Sequence, residues 1–450
     1  MKLKYTLAVG ALALATASQA QSWIADTMKT DTSYLKDAYY NLNTGQVASV
    51  ANNNWHIAFQ TDGITQFGAP VPTVMVNHAG NGINGKLYDL GLDAATKWGQ
   101  NLVADTVGKT AGSMELKNQP AYWEDAAFNQ NPSGPTNFGW GEYDVNTHFI
   151  NGNKVYLLVN SAGAFQIWLE QYQISADRNA LKWIFHVGRI DGTDTITHTF
   201  APAPTYNNKL FAYYNAATHQ FIDREPVISD WHLLATKYVD TGYMPGLLLS
   251  TTGIVSNVNV ELATQSNLPP NNATQAMATA ATYLDTRNVI GGKYKALNGS
   301  NQWEVHPNLS YFIRIKKGVD SGDIWQVYFD YFPTATTNVN VKIGLQKRKI
   351  YDYTAPVSVT ELNPFVQNVM LVPNPTVGGA TNLLIDVKQD IKDARITIVD
   401  LGGRVVMNTT RSIKAGLQQM RLDVSSYRAG VYMVNISGAG FNTTQKMVIK

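Results

Sequence analysis

Apolar and polar positions alternate with a period of two through most of the chain. In 55–59, the larger apolar residues Trp55, Ile57 and Phe59 fall on one face of a predicted strand, with smaller or polar residues between them. The same pattern predicts strands at 155–159, 165–169, 181–187, 311–315 and 324–329. Turn signals such as Asn151-Gly152-Asn153 separate them, and only 93–105 and 273–283 are helix-like. The pattern predicts an all-β fold.

The chain repeats itself. Tyr39-Tyr40-Asn41 followed by Trp55-His56-Ile57-Ala58 returns as Tyr213-Tyr214-Asn215 followed by Trp231-His232-Leu233-Leu234. Further strand patterns follow in the same order in both copies. Unrelated strands would not keep that order, so we predict two tandem antiparallel β domains, at 30–203 and 204–352.

A third unit is predicted at 369–450, after an extended linker at 353–368. Pro373 and Pro375 flank Asn374 and interrupt any strand there, which marks a domain entrance. Gly402-Gly403, between two alternating stretches, predicts a tight hairpin. These features predict a small C-terminal antiparallel β-sandwich.

The first twenty residues resemble a secretory signal. A short basic start at Lys2 and Lys4 precedes an apolar segment, and small residues follow, which predicts cleavage between Ala20 and Gln21. The apolar segment is too short for a permanent anchor, and no later stretch approaches a transmembrane span. Export is therefore expected.

Charge and cysteine content exclude several classes of function. Removal of Lys2 and Lys4 leaves 33 basic and 33 acidic residues, so no long-range field favours nucleic acid. The chain has no cysteine, which excludes thiol nucleophiles, cysteine-ligated zinc and iron–sulfur clusters. The domains must be stable by burial alone.

The third unit resembles the C-terminal sorting domain of type IX secretion cargo, the type A class of Bacteroidetes. The residues that carry the resemblance are Pro373, Asn374 and Pro375 at the entrance, Gly402, Gly403 and Arg404 at the hairpin, Gly430 and Tyr432 in Ala-Gly-Val-Tyr, and the basic end at Lys450. The resemblance implies recognition by the type IX machinery and transport across the outer membrane, to the surface or the medium.

The repeated unit resembles the HmuY family of haem-binding surface proteins. In the first copy the resemblance rests on 40–47, 54–59 and 139–143, and in the second on Trp231 and the strands at 311–315 and 324–329. It implies haem as cofactor, held by axial side chains near matching strands. The candidates are His148 with Met114 in the first copy and His306 with Met277 in the second. The first copy departs from the family, because its loop 99–130 contains no histidine.

Two functions remain open at this point. One is a surface protein that captures haem or porphyrin, and the other is a non-haem scaffold or adhesin that binds glycan, peptide or neighbouring cells. His56 and His232 recur in both copies, and we expect them to be structural rather than metal ligands. No motif for hydrolysis, phosphate binding or dinucleotide binding occurs, so no enzyme activity is expected.

Overall fold

The structure is a computed structural model of the chain. It describes residues 22–61, 65–66, 69–80, 82–174, 181–240, 249–318, 320–334, 340–353, 366–376, 379–400, 402–438 and 441–450. The predicted cleavage site at Ala20 and Gln21 lies outside the described residues, as does most of the predicted linker. The chain divides into two compact units, one ending at Tyr353 and the other beginning at Thr354.

Strands account for most of the described residues, which confirms the all-β prediction. The strands before residue 203 are β1 (Ile24–Thr32), β2 (Lys36–Asn41), β3 (Gly45–Ala51), β4 (Ile57–Gln60), β5 (Thr65–Gln66), β6 (Ala69–Pro70), β7 (Val74–Val76), β8 (Lys86–Asp93), β9 (Gly141–Tyr143), β10 (Ile150–Gly152), β11 (Lys154–Asn160), β12 (Gly163–Ile174), β13 (Leu181–Arg189) and β14 (Ile196–Phe200). Those from there to residue 353 are β15 (Phe211–Asn215), β16 (Gln220–Ile222), β17 (Leu233–Asp240), β18 (Leu249–Ser256), β19 (Val260–Ser266), β20 (Lys295–Leu297), β21 (Trp303–Val305), β22 (Leu309–Gly318), β23 (Ser321–Tyr331) and β24 (Asn340–Tyr351).

Helices are short. Each helix-like stretch of the sequence contains one α-helix, α1 (Ala94–Lys97) or α2 (Gln275–Ala280). Single 3₁₀ turns occur at Ala104–Thr106, Gly112–Met114, Ala127–Asn129, Ile228–Asp230 and Pro270–Asn272. Both α-helices lie in the connections between strands, so the sheets supply the framework.

The first unit is built from four main sheets in two sandwiches. In the first sandwich, the strands β14-β13-β12-β11-β8, with β10 and β9 beside β12, face the sheet β16-β15-β4-β7. In the second sandwich, β1-β24-β23-β22-β19 faces β3-β2-β17-β18. Each sandwich has its own apolar core, the first around Trp140 and Trp183 and the second around Tyr40 and Tyr311.

The two four-stranded sheets also pack against each other. Their outward faces carry a further apolar cluster that includes Tyr39, Ala58, Met75 and Tyr213. We call the space between these two sheets the central layer. It explains a departure from the predicted strand: Ile57 and Phe59 enter the first core, while Trp55, predicted on the same face, lies before β4 and enters the central layer with Ala58. Both faces of β4 are therefore buried.

The two sequence copies exchange strands. β15, from the second copy, pairs with β4 of the first, with Tyr214 opposite Ile57. β2, from the first copy, pairs with β17 of the second, with Tyr40 opposite Leu233. β1 likewise pairs with β24 at the far end of the repeat region. Each copy therefore completes a sheet of the other, within one compact unit.

His56 and His232 hold these exchanged strands at equivalent places. The Nδ1 atom of His56 accepts a hydrogen bond from the Ala216 amide at 3.0 Å, and that of His232 accepts one from the Leu42 amide at 3.0 Å. Both side chains are buried, and burial lowers the pKa of each to about 4. They are neutral structural residues.

The second unit is a separate small sandwich. Its strands are β25 (Val366–Val372), β26 (Ala380–Val387), β27 (Ile391–Asp400), β28 (Val405–Ile413), β29 (Gly416–Asp423), β30 (Gly430–Gly438) and β31 (Phe441–Ile449). They form sheets in the orders β25-β26-β29 and β28-β27-β30-β31. A single apolar core, with Ile396 and Val434 fully buried, lies between the two sheets.

Candidate functional site in the central layer

Matched aromatic pairs join the two copies across the central layer. Tyr39 of the first copy meets Trp231 of the second edge-to-face at 5.0 Å between ring centroids. Trp55 and Tyr213 form the equivalent pair at 4.9 Å. A third indole, Trp123, enters from the first copy and donates its Nε1 hydrogen to the Ser256 carbonyl at 3.0 Å. The two matched pairs each join strands of one sheet, whereas Trp123 lies between the sheets, with Phe211 at 5.8 Å and Trp231 at 6.5 Å between ring centroids.

A buried ion pair lies beside these rings. The Nη2 atom of Arg224 is 2.6 Å from Oδ2 of Asp37, and both side chains are about 4% exposed. The Thr236 hydroxyl donates to the other Asp37 oxygen at 2.7 Å. The Arg224 guanidinium also lies over the Tyr213 ring at 4.8 Å. The pair is electrically neutral, so it adds no net charge to the central layer.

Arg287, in contrast, has no carboxylate within salt-bridge distance among the described residues. Its Nε and Nη2 donate to the carbonyls of Pro120 at 3.0 Å and Gln119 at 2.6 Å, and the guanidinium lies over Trp123 at 4.5 Å. Its Nη1 meets only the Met75 sulfur at 3.9 Å. Burial lowers the pKa of Arg287 to about 10, so the group stays charged at neutral pH.

Two glycines allow the Arg287 segment to lie directly on β18. A Cβ added at Gly253 would lie 2.6 Å from the carbonyl carbon of Gly291. Gly291 has a positive φ of 50° and pairs with Ile254 in a two-residue bridge. The close backbone approach sets the position of Arg287 against Trp123.

A further cation, Lys237, lies on the face of its strand that carries Leu233 and Ala235, away from the central layer. It lies on β17, and its side chain makes no ion pair with any residue that the structure describes. Burial lowers its pKa from the ordinary value of 10.5. The nearby carboxylate of Asp240 is engaged by the Tyr238 hydroxyl and the Asn288 amide.

A cavity of about 70 Å³ opens between these groups. We call it the central cavity. Its lining comes from both copies and comprises Asp37, Trp55, Met75, Val76, Asn77, His78, Ala79, Asn118, Trp123, Tyr213, Arg224, Leu234, Thr236, Lys237, Tyr238, Val239, Val255 and Arg287. Three of these side chains are basic and one is acidic. His78 is neutral, because burial lowers its pKa to about 4. Of the basic groups, Arg224 pairs with Asp37, and Arg287 lies near the carboxylates of Asp240, Glu124 and Asp125.

The predicted haem ligands lie elsewhere. None of His306, Met277, His148 and Met114 belongs to the lining of the central cavity. All four are exposed: Met277 lies on α2, His306 directly follows β21, and Met114 ends a 3₁₀ turn. His148, with a positive φ of 61°, has its Nδ1 2.6 Å from the Tyr143 hydroxyl. The described residues contain no group of three or more His, Asp or Glu side chains able to hold a metal ion.

The predicted sorting residues form the turns of the C-terminal sandwich. The Asn374 side chain donates to the Lys446 carbonyl at 2.6 Å and accepts from the Val448 amide at 2.8 Å, so the entrance is tied to the last strand. β25 ends at Val372, directly before Pro373. At the hairpin, Asp400 accepts from the amides of Gly402 and Arg404 at 3.0 Å, and Gly403 has a positive φ of 79°.

Gly430 and Tyr432 complete the sorting set on β30. Gly430 is the first residue of that strand, opposite Ile449 of β31. The Tyr432 hydroxyl donates to the Arg428 carbonyl at 2.9 Å, while its ring packs in the core of the small sandwich. All the predicted motif residues therefore contribute to one small fold.

The C-terminal sequence matches a known family. Residues 370–450 match the family described as "Secretion system C-terminal sorting domain". This stretch is a type IX sorting domain. The sorting domain indicates export to the cell surface or the extracellular space and interaction with the type IX secretion machinery. No helix among the described residues is long and apolar enough to cross a membrane.

Comparisons with curated proteins and with solved structures do not extend the identification beyond the sorting domain. No curated protein matches the chain. Among solved structures, the chain is similar to dimeric latent PorU from Porphyromonas gingivalis, with 10% identity and a TM-score of 0.17. The match covers 91% of this chain and 36% of that one, so the chain spans about a third of PorU. This TM-score is too low to infer a shared fold.

Proposed function

We propose that this chain is an extracellular binding protein, exported through its sorting domain, whose repeat region holds a small ligand in the central cavity. The observation that carries the proposal is the lining of that cavity. Both copies contribute aromatic walls, and the buried Arg287 guanidinium has no carboxylate within salt-bridge distance among the described residues. Buried charge without a partner is costly, and a ligand that supplies the partner would offset that cost.

This proposal belongs with the non-haem alternative of the sequence analysis. A cavity of about 70 Å³ has room for a few non-hydrogen atoms and not for a porphyrin macrocycle. Haem capture at His306 and Met277, or at His148 and Met114, stays a prediction of the HmuY resemblance. It would use a different, exposed surface of the repeat region.

A thermal-shift screen of the full chain tests the proposal. A ligand that binds only the folded state raises the melting temperature in proportion to the logarithm of its concentration. We expect a subset of small polar compounds to raise it, and we expect Val255→Phe, which enlarges a side chain of the lining, to abolish the response. A response of equal size in the folded variant would place binding outside the cavity and contradict the proposal.

An absorbance titration with haemin tests the haem alternative separately. The full chain is compared with its His306→Ala and His148→Ala variants, because each removes the histidine of one predicted pair. A saturable Soret band that one substitution weakens would establish haem capture in that copy. A spectrum equal to that of haemin with an inert protein would exclude it.

A further inference from the structure

We propose that His198, Tyr214 and His219 form an acid-sensitive latch at one edge of the first sandwich, and that this edge opens when both histidines are protonated. The three side chains make a continuous hydrogen-bonded array. The inference goes beyond the proposed function, because the latch acts on the contact between two sheets and needs no ligand.

The latch joins the two facing sheets of the first sandwich. His198 lies on β14, the terminal strand of one sheet. Tyr214 lies on β15 of the facing sheet, and His219 directly precedes β16, the terminal strand of that sheet. His198 belongs to the first sequence copy, whereas Tyr214 and His219 belong to the second. Loss of the array therefore acts on the contact between β14 and the β15–β16 hairpin, which the two copies build together.

A single hydroxyl contacts both imidazoles. Nε2 of His198 is 2.6 Å from the Tyr214 oxygen, and Nδ1 of His219 is 3.1 Å from the same atom. A hydroxyl donates one hydrogen bond, so it donates to one of these nitrogens while the other nitrogen donates to it. At least one nitrogen must therefore be unprotonated for the array to be complete. Tyr214 is fully buried, so solvent supplies no other acceptor.

The charges around the array can balance one added proton. Nε2 of His219 lies 3.1 Å from Oδ2 of Asp194, which would offset an imidazolium at that position. The same carboxylate oxygen lies 3.8 Å from Nε of Arg189, which already balances part of its charge. His198 has no carboxylate within salt-bridge distance among the residues that the structure describes. Its ring is instead stacked on Phe185 at 4.9 Å between centroids.

The other contacts of this edge keep their charge between neutral and mildly acidic pH. The rings of Phe200 on β14 and Phe221 on β16 stack at 4.0 Å between centroids. Asp223, which directly follows β16, pairs with Lys209, and a paired carboxylate stays ionised in this range. His186 on the neighbouring strand β13 lies on the opposite face of its sheet, because its register partner is the residue before His198.

Protonation of both histidines breaks the array. Both nitrogens then donate to the Tyr214 oxygen, and the buried hydroxyl hydrogen keeps no acceptor. Two like charges also lie in rings whose centroids are 6.4 Å apart. Burial, together with the neighbouring His219, lowers the pKa of His198 from its ordinary value of 6.5, so the closed edge favours the neutral ring. Opening takes up a proton and becomes more favourable as the pH falls below 6.5.

Hydrogen exchange of the full chain at pH 7 and pH 5, corrected for the intrinsic rates, tests the latch. Exchange is followed in β14 and in 216–222 and compared with β22 and β23 of the second sandwich, which report global unfolding. His198→Gln keeps a side chain that can hydrogen-bond to Tyr214 and removes the titrating group. Tyr214→Phe keeps the buried ring and removes the shared hydroxyl. His306→Gln is the matched control, since His306 is exposed and follows β21.

We expect the opening of β14 and 216–222 to rise about tenfold or more from pH 7 to pH 5, relative to β22 and β23, because each proton taken up on opening raises the opening constant by up to about tenfold per pH unit. His306→Gln should behave like the parent, and His198→Gln should lose most of the rise. Tyr214→Phe should open the edge already at pH 7 and respond less to acid.

Three results would overturn the latch. The first is the absence of a rise at this edge in the parent, and the second is a rise that β22 and β23 share equally. The third is a rise of parental size in His198→Gln or, if that variant does not fold, in Tyr214→Phe.

Discussion

At the residue scale, the central layer depends on a few buried polar groups whose partners come from the other copy. Asp37 lies on β2 of the first copy, and Arg224 and Thr236 belong to the second. None of these contacts is predictable from local sequence, because the partners are almost two hundred positions apart. Each side chain is nevertheless tightly constrained once the strands have been exchanged.

Asp37→Asn should destabilise the repeat region strongly. The substitution leaves the buried Arg224 guanidinium without its counterion, and breaking a buried pair in this way costs about 3–5 kcal/mol. Asp31→Asn is the matched control, because Asp31 pairs with Lys36 at 3.0 Å on the surface. That change should cost far less than the loss of the buried pair, because solvent screens the exposed charges. Urea unfolding at pH 7 measures both, and equal effects would contradict the account.

The buried histidines should make stability fall in mild acid. His56 has a folded pKa of about 4 and an ordinary value of 6.5, so the unfolded chain binds its proton first. Its contribution is complete above pH 6.5 and is lost as the pH falls to 4, by up to about 3 kcal/mol. Glu225 acts in the opposite sense, because burial raises its pKa from 4.5 to about 7.

The difference between variants isolates the histidine contribution. The unfolding free energy of the parent and of His56→Gln is measured at pH 7 and at pH 4.5, so that Glu225 and the remaining histidines cancel in the comparison. The parent should lose more stability than the variant over this interval. An identical loss in both proteins would show that His56 is not buried in its neutral form.

At the element scale, the strands of one sequence copy do not all belong to the same sandwich. Tyr214 belongs to the second copy but packs in the core of the first sandwich, while Tyr40 belongs to the first copy and packs in the core of the second. A substitution in an exchanged strand of one copy should therefore destabilise the sandwich that contains most strands of the other copy, and this holds in both directions.

Hydrogen exchange of Tyr214→Ala and Tyr40→Ala tests this exchange of strands. Each substitution truncates a fully buried ring and should cost about 3–5 kcal/mol. Tyr214→Ala should raise exchange first in β12 and β13, and Tyr40→Ala should raise it first in β22 and β23. The two variants serve as controls for each other. If Tyr214→Ala instead raised exchange first in β22 and β23, and Tyr40→Ala in β12 and β13, each copy would be folding with its own strands.

The sequence predicted the strands well and their partners poorly, for a physical reason. Alternation reports which residues are buried, and 165–169 and 324–329 lie inside β12 and β23 as expected. It does not report which neighbour a strand pairs with, because the pattern of Tyr213-Tyr214-Asn215 is equally compatible with a strand of either copy as its partner. For the same reason Trp55, predicted on one face with Ile57 and Phe59, lies in the central layer and not in the first core.

The candidate site was harder to predict than the fold. Trp123 and Arg287 belong to no motif and are far apart in sequence, so only the folded chain brings them together. The available signal in the sequence was the high number of Trp and Tyr residues in both copies. The sorting residues were predictable because they form local turns, such as Asp400 to Arg404, whose chemistry is complete within a few positions.

At the scale of the whole molecule, one chain carries two units with separate tasks. The sorting domain at 370–450 accounts for export, and its small sandwich has its own core. The repeat region up to Tyr353 is the first compact unit, in which the sandwiches share the central layer. The proposed binding activity belongs entirely to this first unit and should not depend on the sorting domain.

The most direct test of that activity is a nuclear magnetic resonance titration of the chain labelled at its tryptophan indoles, with the most stabilising compound of the thermal-shift screen as the probe. Trp55 and Trp123 line the central cavity, whereas Trp183 is buried in the core of the first sandwich and serves as an internal control. The signals are assigned with the single Trp→Phe variants. The account predicts saturable shifts of the Trp55 and Trp123 indole signals with the Trp183 signal unchanged. Shifts confined to other indoles, or none at a saturating concentration of that compound, would contradict a binding site between the two copies.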